Sequence, residues 1–378
     1  MTGPEAKHSS PVDGLPHSIG SGIARAQAAG LAALTQPHTP GRHRHLIIAS
    51  TAYHVLLAHL LAEHVLERVD CLLLLSGARQ DIDHLHQALR GAAGSPFADV
   101  LYLAPASGAK LARERAEVPL WRELLRQVRP QRLFLFNDTA PARQALCREA
   151  QRAGVRTAYV EDGACAYSSW SFARPWRQHL RQALARPWLR NPQAIGATPW
   201  LGETYALYPE WVRPELRRRP VHPLPAHTAT LAAMGWVDNY IGRLGVAPED
   251  LQCEMLCTPG YSRAARRPRA LREVLRAQIA AGRDAGLDVV VKYHPRQRDD
   301  FLDAAALGAR TLPASAPVEL VYLRSAAQLQ RVCGDIGTSL MTARWIAPGA
   351  QVVSAMHPAG YRDARFSATL HRLGVDVL

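Results

Sequence analysis

Two successive blocks of alternating strands and helices constrain most strongly what this chain can fold into. In the first block, short apolar runs are typical of buried strands, and the segments between them have helical periodicity. The strands are predicted at residues 46–49, 71–75, 100–103, 132–136 and 157–160, and the first two helices at 53–66 and 81–90. Continuously apolar strands separated by helices indicate a parallel sheet that is covered on both faces.

A second block follows a segment that interrupts this alternation of strands and helices. Residues 172–228 are rich in proline and tryptophan, and we expect the connection between two domains there, followed by a helix over 230–243. The second block is predicted to contain segments at 254–258, 288–293, 320–323 and 352–355, with a basic helix over 269–285. The pattern therefore predicts an α/β protein with two Rossmann-like domains facing a cleft, where ligands bind at the carboxyl ends of the strands.

The length of the chain agrees with two domains. At 378 residues it exceeds the usual size of a single core, and 48% hydrophobic residues are enough to fill two. We assign residues 1–42 to a mobile leader, 43–228 to the N-terminal domain and 229–378 to the C-terminal domain. The leader is rich in Pro, Gly, Ala, Ser and His and has little periodicity.

The charge balance narrows the class of ligand without choosing one. The chain has 45 Lys and Arg against 32 Asp and Glu, a net charge of +13, and most of the cations are arginines. This balance favours anionic substrates, nucleic acid or an anionic membrane surface. The arginines are spread along the chain, zinc-finger, RRM and helix-turn-helix patterns are missing, and aromatic residues make up only 7%, which argues against nucleic acid.

Cysteine usage and hydropathy predict a cytoplasmic protein. Most of the six cysteines lie in apolar runs, which is typical of small buried side chains and not of a disulfide framework or a zinc site. No apolar stretch approaches the ~20 residues that span a bilayer, and the first forty residues lack the apolar core of a secretory signal.

The leading candidate for chemistry is a histidine at a strand end. The run 289–293, rich in residues that favour strands, leads directly into His294, Pro295 and Arg296. Because the proline blocks regular continuation of the strand, the imidazole is predicted to lie at the crevice edge of the sheet. The alternative is a surface or packing histidine.

A pair of acids follows a strand of the first block. Glu161 and Asp162 come directly after the strand at 157–160, and Gly163 then permits a tight turn. At least one carboxylate should face the cleft, where it can act as a general base. Crowding two negative charges shifts one pKa toward the working range. An ordinary Asp-Gly turn is the alternative.

Two loops of the second block are candidate phosphate or nucleotide sites. Gly337, Thr338 and Ser339 open a helix, where free backbone N–H groups hold a phosphate or are satisfied by a simple cap. Thr258 and Gly260 flank a proline at the end of the first strand, next to several arginines.

Glu319 is a candidate ligand for the vicinal hydroxyls of a ribose. It follows a turn and opens a helix, where a carboxylate also gains from the helix dipole as a simple cap.

The segment 172–220 combines arginine with tryptophan, and the sequence Ala-Arg-Pro-Trp occurs at 173–176 and again at 185–188. Such a segment favours peripheral contact with a membrane, with tryptophan at headgroup depth. A basic surface helix that packs its tryptophans inward explains the pattern equally well.

The order of these motifs resembles the bacterial sialyltransferases, and most closely the capsular polysialyltransferase group. That family shares an acidic pair before a glycine, a His-Pro motif and a Ser/Thr motif, which correspond here to Glu161-Asp162-Gly163, His294-Pro295 and Thr338-Ser339. The pattern extends from about residue 46 to 376, although only the short motifs are specific.

The resemblance implies a GT-B type glycosyltransferase that moves a nonulosonic acid from a CMP-activated donor and inverts the anomeric centre. The acidic pair would supply the base, with the choice between Glu161 and Asp162 open, and His294 would donate to or neutralise the leaving phosphate. Thr338 and Ser339 would bind that phosphate and Glu319 the ribose, in a C-terminal donor-binding domain. The partners implied are a CMP-sugar and an anionic glycan or glycolipid acceptor. No metal or other cofactor is expected, since the predicted crevice has no Asp-x-Asp pair.

Four alternative readings remain. Capsular Kdo transferases also use a CMP-activated acid, and glycerophosphotransferases carry a similar Lys-x-His-Pro strand end. The acidic pair argues against the glycerophosphate enzymes and leaves Kdo open. A nucleic-acid-binding protein and a catalytically silent subunit that binds a sugar nucleotide are the remaining alternatives.

Overall fold

A computed structural model of the chain describes residues 43–378 except 67–68, 78–79, 91, 104–109, 177, 181–186 and 227–233. The predicted leader 1–42 and the predicted domain boundary at 228/229 lie outside these residues.

The first sheet has seven parallel strands in the order β3-β2-β1-β4-β5-β6-β7. They are β1 His43–Ala49, β2 Val69–Ser76, β3 Phe97–Leu103, β4 Arg132–Leu135, β5 Arg156–Val160, β6 Glu203–Ala206 and β7 Val221–Pro223. The helices described in this part are α1 Ala52–His64, α2 Gln80–Leu89, α3 Lys110–Val128 and α4 Pro141–Arg152. Strand β1 lies inside the sheet, and Leu46 and Ile47 have no exposed surface because layers cover both faces.

The second sheet has six parallel strands in the order β10-β9-β8-β11-β12-β13. They are β8 Met255–Thr258, β9 Val289–Val291, β10 Arg310–Thr311, β11 Arg331–Gly334, β12 Gln351–Ser354 and β13 Val375–Val377. The helices are α5 Trp236–Leu244, α6 Pro268–Asp284, α7 Val318–Ser325, α8 Thr338–Ile346 and α9 Ala364–Arg372. The predicted class, α/β with two Rossmann-like units, is confirmed.

Some predicted elements were wrong in detail. Residues 320–323 belong to helix α7, and the strand of this region is β11 instead. A short apolar run fits a buried helix face as well as a strand, and only its neighbours in space decide. Strand β9 stops at Val291, three residues before His294. The segment 172–228, expected to connect the domains, contains β6 and β7 of the first sheet.

The last helix ties the two halves of the chain together. Asp363 caps α9 by accepting from Phe366 N at 2.9 Å, and its second oxygen accepts from Ser169 N at 2.7 Å. Arg365 donates to the carbonyl of Val212 at 2.7 Å. A carboxylate that serves a helix end and a loop of the other half fixes both with one buried group.

A second buried carboxylate organises the carboxyl edge of the first sheet. Glu161, directly after β5, has no exposed surface. It accepts hydrogen bonds from Tyr53 Oη at 2.9 Å, from Leu207 N at 2.8 Å and from Tyr167 Oη. These donors belong to α1, to the residue after β6 and to the loop after β5, so one side chain joins three segments around the strand ends.

This burial changes the ionisation of Glu161. Removal from water raises its pKa from the usual 4.5 to about 7, although the hydrogen bonds from Tyr167, Leu207 and Tyr53 oppose the shift. The unfolded chain therefore ionises at a lower pH than the folded chain. The folded state then loses stability as pH rises from about 4.5 to about 7, by on the order of 3 kcal/mol in total.

We predict that Glu161→Gln removes this pH dependence. Between pH 5 and pH 8 the wild type loses stability, because it has to ionise a buried acid or keep a proton on it, and the variant does not. The Tm of the variant minus the Tm of wild type should therefore rise by several degrees over this range. Differential scanning fluorimetry across this range measures the difference. Glu249→Gln, at an exposed site, should follow the wild-type curve. A constant difference in Tm between Glu161→Gln and wild type would contradict the raised pKa.

Candidate functional site

The carboxyl ends of strands from both sheets open into one cleft with a cavity volume of about 1110 Å³. Its walls include residues that follow β1, β5, β8, β9 and β11. Nine of the ten candidate residues line it: Asp162, Thr258, Gly260, His294, Pro295, Glu319, Gly337, Thr338 and Ser339. Glu161 is not among the lining residues, since it is enclosed behind the strand end.

The two acids of the pair lie in different environments. Glu161 is buried in the network described above, whereas the Asp162 side chain is 28% exposed and borders the cleft. Successive residues of an extended chain point to opposite sides, which explains how adjacent acids reach different surroundings. Of the two, Asp162 is the carboxylate that a molecule in the cleft can touch.

A histidine that the sequence analysis did not select holds Asp162. Nε2 of His54, in the first turn of α1, lies 3.0 Å from Asp162 Oδ1, and Nδ1 of the same ring accepts from Ser50 N at 3.2 Å. The imidazole stacks on Phe136 with ring centroids 4.2 Å apart and an interplanar angle of 4°. The only sequence signal was Thr51 as a helix cap ahead of it, which does not distinguish a site residue from a core histidine.

Gly163 lets the two halves approach closely. Its φ is +56°, and a Cβ there would lie 2.1 Å from Thr338 Oγ1. In the same contact Ala164 N donates to Thr338 Oγ1 at 3.1 Å. The turn predicted from this glycine is therefore also the point where the loop after β5 meets the N-terminus of α8.

His294 lies at the cleft, half-buried, in the loop after β9. Its Nδ1 accepts from Arg296 N at 3.1 Å, and its ring centroid is 6.1 Å from that of Tyr261. Because Nδ1 acts as an acceptor, the proton of the neutral ring is on Nε2. Nε2–H is therefore the donor of the ring.

The start of α8 has the features of an anion site. Gly337 is the N-cap residue, with φ +142°, and no side chain caps the helix. A Cβ at this position would meet nothing within 4 Å, so the backbone is open to the cleft. Ser339 Oγ lies 3.4 Å from Thr258 Oγ1, which brings the two candidate loops together. Free N–H groups, the helix dipole and two hydroxyls together suit an anionic group.

Gly260 packs against Asp335, a carboxylate that the sequence analysis did not select. Its N–H donates to Asp335 Oδ1 at 2.8 Å, and a Cβ would lie 2.7 Å from the other carboxylate oxygen. Burial raises the pKa of Asp335. This glycine is thus required by close packing at the strand ends.

Glu319 lies in the first turn of α7 and is buried where the helix meets the cleft. Burial raises its pKa, against the opposing charge of Lys292. Lys292, also a lining residue that the sequence analysis did not select, donates through Nζ to the carbonyls of Tyr293 at 2.6 Å and Ala314 at 3.2 Å. It thereby fixes the loop that carries His294.

Much of the Trp/Arg segment packs against the protein. Arg148 lies 5.3 Å from the ring centroid of Trp188, and Trp211 stacks on Tyr208 at 4.7 Å. Several of its arginines donate to backbone carbonyls: Arg174, Arg190, Arg213, Arg217 and Arg219.

Two large apolar side chains among the described residues of the segment are exposed. Trp176 is 69% and Leu180 50% accessible to solvent. His179 lies between them in the sequence, and its backbone N donates to the carbonyl of Pro175 at 3.0 Å. Residues 177 and 181–186 of this segment lie outside the described part of the chain.

No group of three or more His, Cys, Asp or Glu among the described residues could hold a metal ion, and no helix there is both long and apolar enough to cross a membrane. All six cysteines are free thiols.

The comparison with protein-family models gave no match, and neither did that with curated proteins. Solved structures do match. The UDP-GlcNAc 2-epimerase from Methanocaldococcus jannaschii aligns with a TM-score of 0.54 and 11% identity, over 89% of this chain and 88% of that chain. The UDP-GlcNAc 2-epimerase from Neisseria meningitidis, solved bound to UDP-GlcNAc, aligns with a TM-score of 0.51 and 8% identity, over 87% and 85%.

At such low identity the similarity concerns the fold alone. Since it extends over most of both chains, it covers both sheets of this protein. The chain therefore has the GT-B fold, with two Rossmann-like units whose strand ends face a common cleft.

Proposed function

We propose that the protein is an inverting, metal-independent glycosyltransferase that moves a nonulosonic acid from a CMP-activated donor to a glycan acceptor. One observation carries the proposal. Asp162 from the first sheet and His294, Thr338 and Ser339 from the second border the same cleft, and these are the motifs shared with bacterial sialyltransferases. Base, acid and phosphate site thus come together from both halves of the chain.

Asp162 is the base in this proposal. Its carboxylate accepts the proton of the acceptor hydroxyl while the hydroxyl oxygen bonds to the anomeric carbon of the donor. The bond from that carbon to the phosphate oxygen breaks, and its electron pair stays on CMP. An oxocarbenium-like centre needs little nucleophilic push, so removal of the acceptor proton is the main task of the base.

The leaving phosphate is stabilised from the second sheet. Nε2–H of His294, the hydroxyls of Thr338 and Ser339 and the first N–H groups of α8 donate toward the developing charge. Glu319 accepts from the ribose hydroxyls, and Thr258, Gly260 and Pro295 complete the donor side of the cleft.

The charge of the cleft supports anionic substrates. Three of its lining acids already accept hydrogen bonds from the protein: Asp162, Asp335 and Asp363. In contrast, Arg266, Arg296 and Arg362 line the cleft, are exposed and form no salt bridge within the described residues. Uncompensated arginines favour a carboxylate or phosphate ligand. This suits the CMP-linked acid and an anionic glycan or glycolipid acceptor.

A glycolipid acceptor would bring the enzyme to a membrane. Trp176 and Leu180 are the exposed apolar side chains that suit peripheral contact with the inner face of the cytoplasmic membrane.

The rival donors differ in their nucleotide. The epimerases that share the fold act on UDP-GlcNAc according to their names, and one was solved with it bound. CMP-Kdo and CDP-glycerol are the alternatives on the sequence motifs. We favour CMP-nonulosonic acid because the acidic pair, the His-Pro motif and the Ser/Thr motif occur together in the order of the sialyltransferases.

We predict that CMP raises the Tm in a thermal-shift titration, that UMP, UDP, ADP and CDP-glycerol raise it less, and that EDTA does not change the shift. Binding at a ligand concentration of ~100 Kd stabilises a fold by ~2.7 kcal/mol, which such a titration detects. A shift with UDP or CDP-glycerol and none with CMP would assign the cleft to another donor. A shift with duplex DNA alone would replace the proposal by nucleic-acid binding.

We predict that Asp162→Asn and His294→Ala each lower kcat by about 10²- to 10⁴-fold, since each removes a proton-transfer or charge-stabilising group. The assay measures CMP release from CMP-sialic acid and CMP-Kdo with a panel of glycan acceptors. Tm should stay close to wild type. Glu161→Gln, the neighbouring acid outside the cleft, should keep most of its activity below its Tm. A folded Glu161→Gln that loses as much activity as Asp162→Asn would contradict the assignment of the base to Asp162 alone.

We predict that Ser339→Ala weakens CMP binding about tenfold, because it removes one hydrogen bond to a charged phosphate. Isothermal titration calorimetry with CMP measures the change. Ser367→Ala, in α9 and away from the cleft lining, is the matched control and should bind like wild type. Unchanged CMP affinity in Ser339→Ala would leave Ser339 without a role at the phosphate.

A further inference from the structure

We infer that His54 is a positioning residue that holds one oxygen of Asp162 and leaves the other to take the acceptor proton. The inference rests on the proposed function, in which Asp162 is the base. It adds a residue that the sialyltransferase motifs do not include.

The protein fixes both the orientation and the tautomer of the His54 ring. The ring lies flat against Phe136, and its side chain is only 7% exposed. Ser50 N donates to Nδ1, so Nδ1 acts as an acceptor and the neutral ring has its proton on Nε2. Nε2–H therefore points to Asp162 Oδ1, 3.0 Å away, as a donor.

Asp162 is restrained at two points. Its backbone N–H donates to Tyr159 Oη at 2.9 Å, and its Oδ1 accepts from His54. The first bond restrains the backbone at Asp162, and the second restrains its carboxylate through Oδ1 and leaves Oδ2 without either of these partners. A base of fixed orientation loses little freedom when the acceptor binds, and a misplacement of about 1 Å can cost a factor of about 10² in rate.

The same helix offers a matched comparison. His59 is also buried in α1, its Nε2 lies 3.1 Å from Glu63 Oε2, and its ring contacts Phe97 at 6.1 Å. The Glu63 side chain is 44% exposed, and neither His59 nor Glu63 lines the cleft. Residue type, helix and kind of partner are shared, and the His59–Glu63 pair has no connection to the cleft.

Two substitutions of His54 separate the effect of the donor at Nε2 from the effect of the rest of the ring. The amide nitrogen of glutamine reaches the place of Nε2 and can still donate to Asp162. The amide of asparagine reaches only the place of Nδ1, where its oxygen can accept from Ser50 N. We expect His54→Asn to lower kcat by about 10- to 100-fold with a donor KM within about twofold of wild type, and His54→Gln to recover most of that loss. His59→Asn should keep the wild-type kcat.

The kinetics are compared only among variants with a folded-state circular dichroism spectrum and a Tm above the assay temperature. A folded His54→Asn with wild-type kcat would overturn the inference. So would His54→Gln variants that are no better than His54→Asn, because the donor at Nε2 would then have no effect.

A second measurement needs no substrate. Long-range ¹H–¹⁵N spectra of the full chain, labelled at histidine, should show His54 as the Nε2–H tautomer, and Asp162→Leu should shift its Nε2 resonance. A Nδ1–H tautomer, or an unchanged resonance in Asp162→Leu, would overturn the pairing. If wild type releases no CMP from any donor, the proposed function fails, and the spectra still decide whether His54 holds Asp162.

Discussion

The enclosed carboxylate of Glu161 is the constraint on which the geometry of the cleft depends. Its two oxygens hold the loop after β5, the first turn of α1 and the residue after β6. A buried acid with three donors is costly to disturb, since each lost partner leaves an unsatisfied polar group in the protein interior. The position of Asp162, one residue later, follows from this anchor. A residue without access to the cleft thus determines where the accessible acid lies.

The two sheets contribute different kinds of groups to the cleft. The first sheet supplies a carboxylate held by an imidazole, and the second supplies donors: an imidazole N–H, hydroxyls and the N-terminus of α8. Such a division suits a transfer reaction in which one partner loses a proton and the other gains negative charge. The α9 contacts of Asp363 and Arg365 keep the halves together.

The sequence was informative where local patterns decide structure. Apolar runs between helices predicted most strands near the site, and strand ends predicted that Asp162 and His294 face a common cleft. It did not indicate contacts between residues that lie far apart in the chain. His54 and Asp335 look like ordinary residues of a helix and a loop, and only packing brings them to Asp162 and Gly260. The choice between the two acids likewise depends on tyrosines from other segments. The misassigned run 320–323 has the same cause, because burial by neighbours decided its conformation.

The contact between Ala164 and Thr338 makes one hydroxyl common to both halves. A hydroxyl can accept one hydrogen bond and donate another at the same time. In the proposed reaction, Thr338 would accept from the loop that carries Asp162 while donating to the donor phosphate. Each of these bonds would polarise and strengthen the other, so a bound phosphate would hold the loop that carries Asp162 more firmly. Binding of the donor would then order the loop that carries Asp162 before the acceptor binds. The contact therefore favours ordered binding of the two substrates, with the donor first.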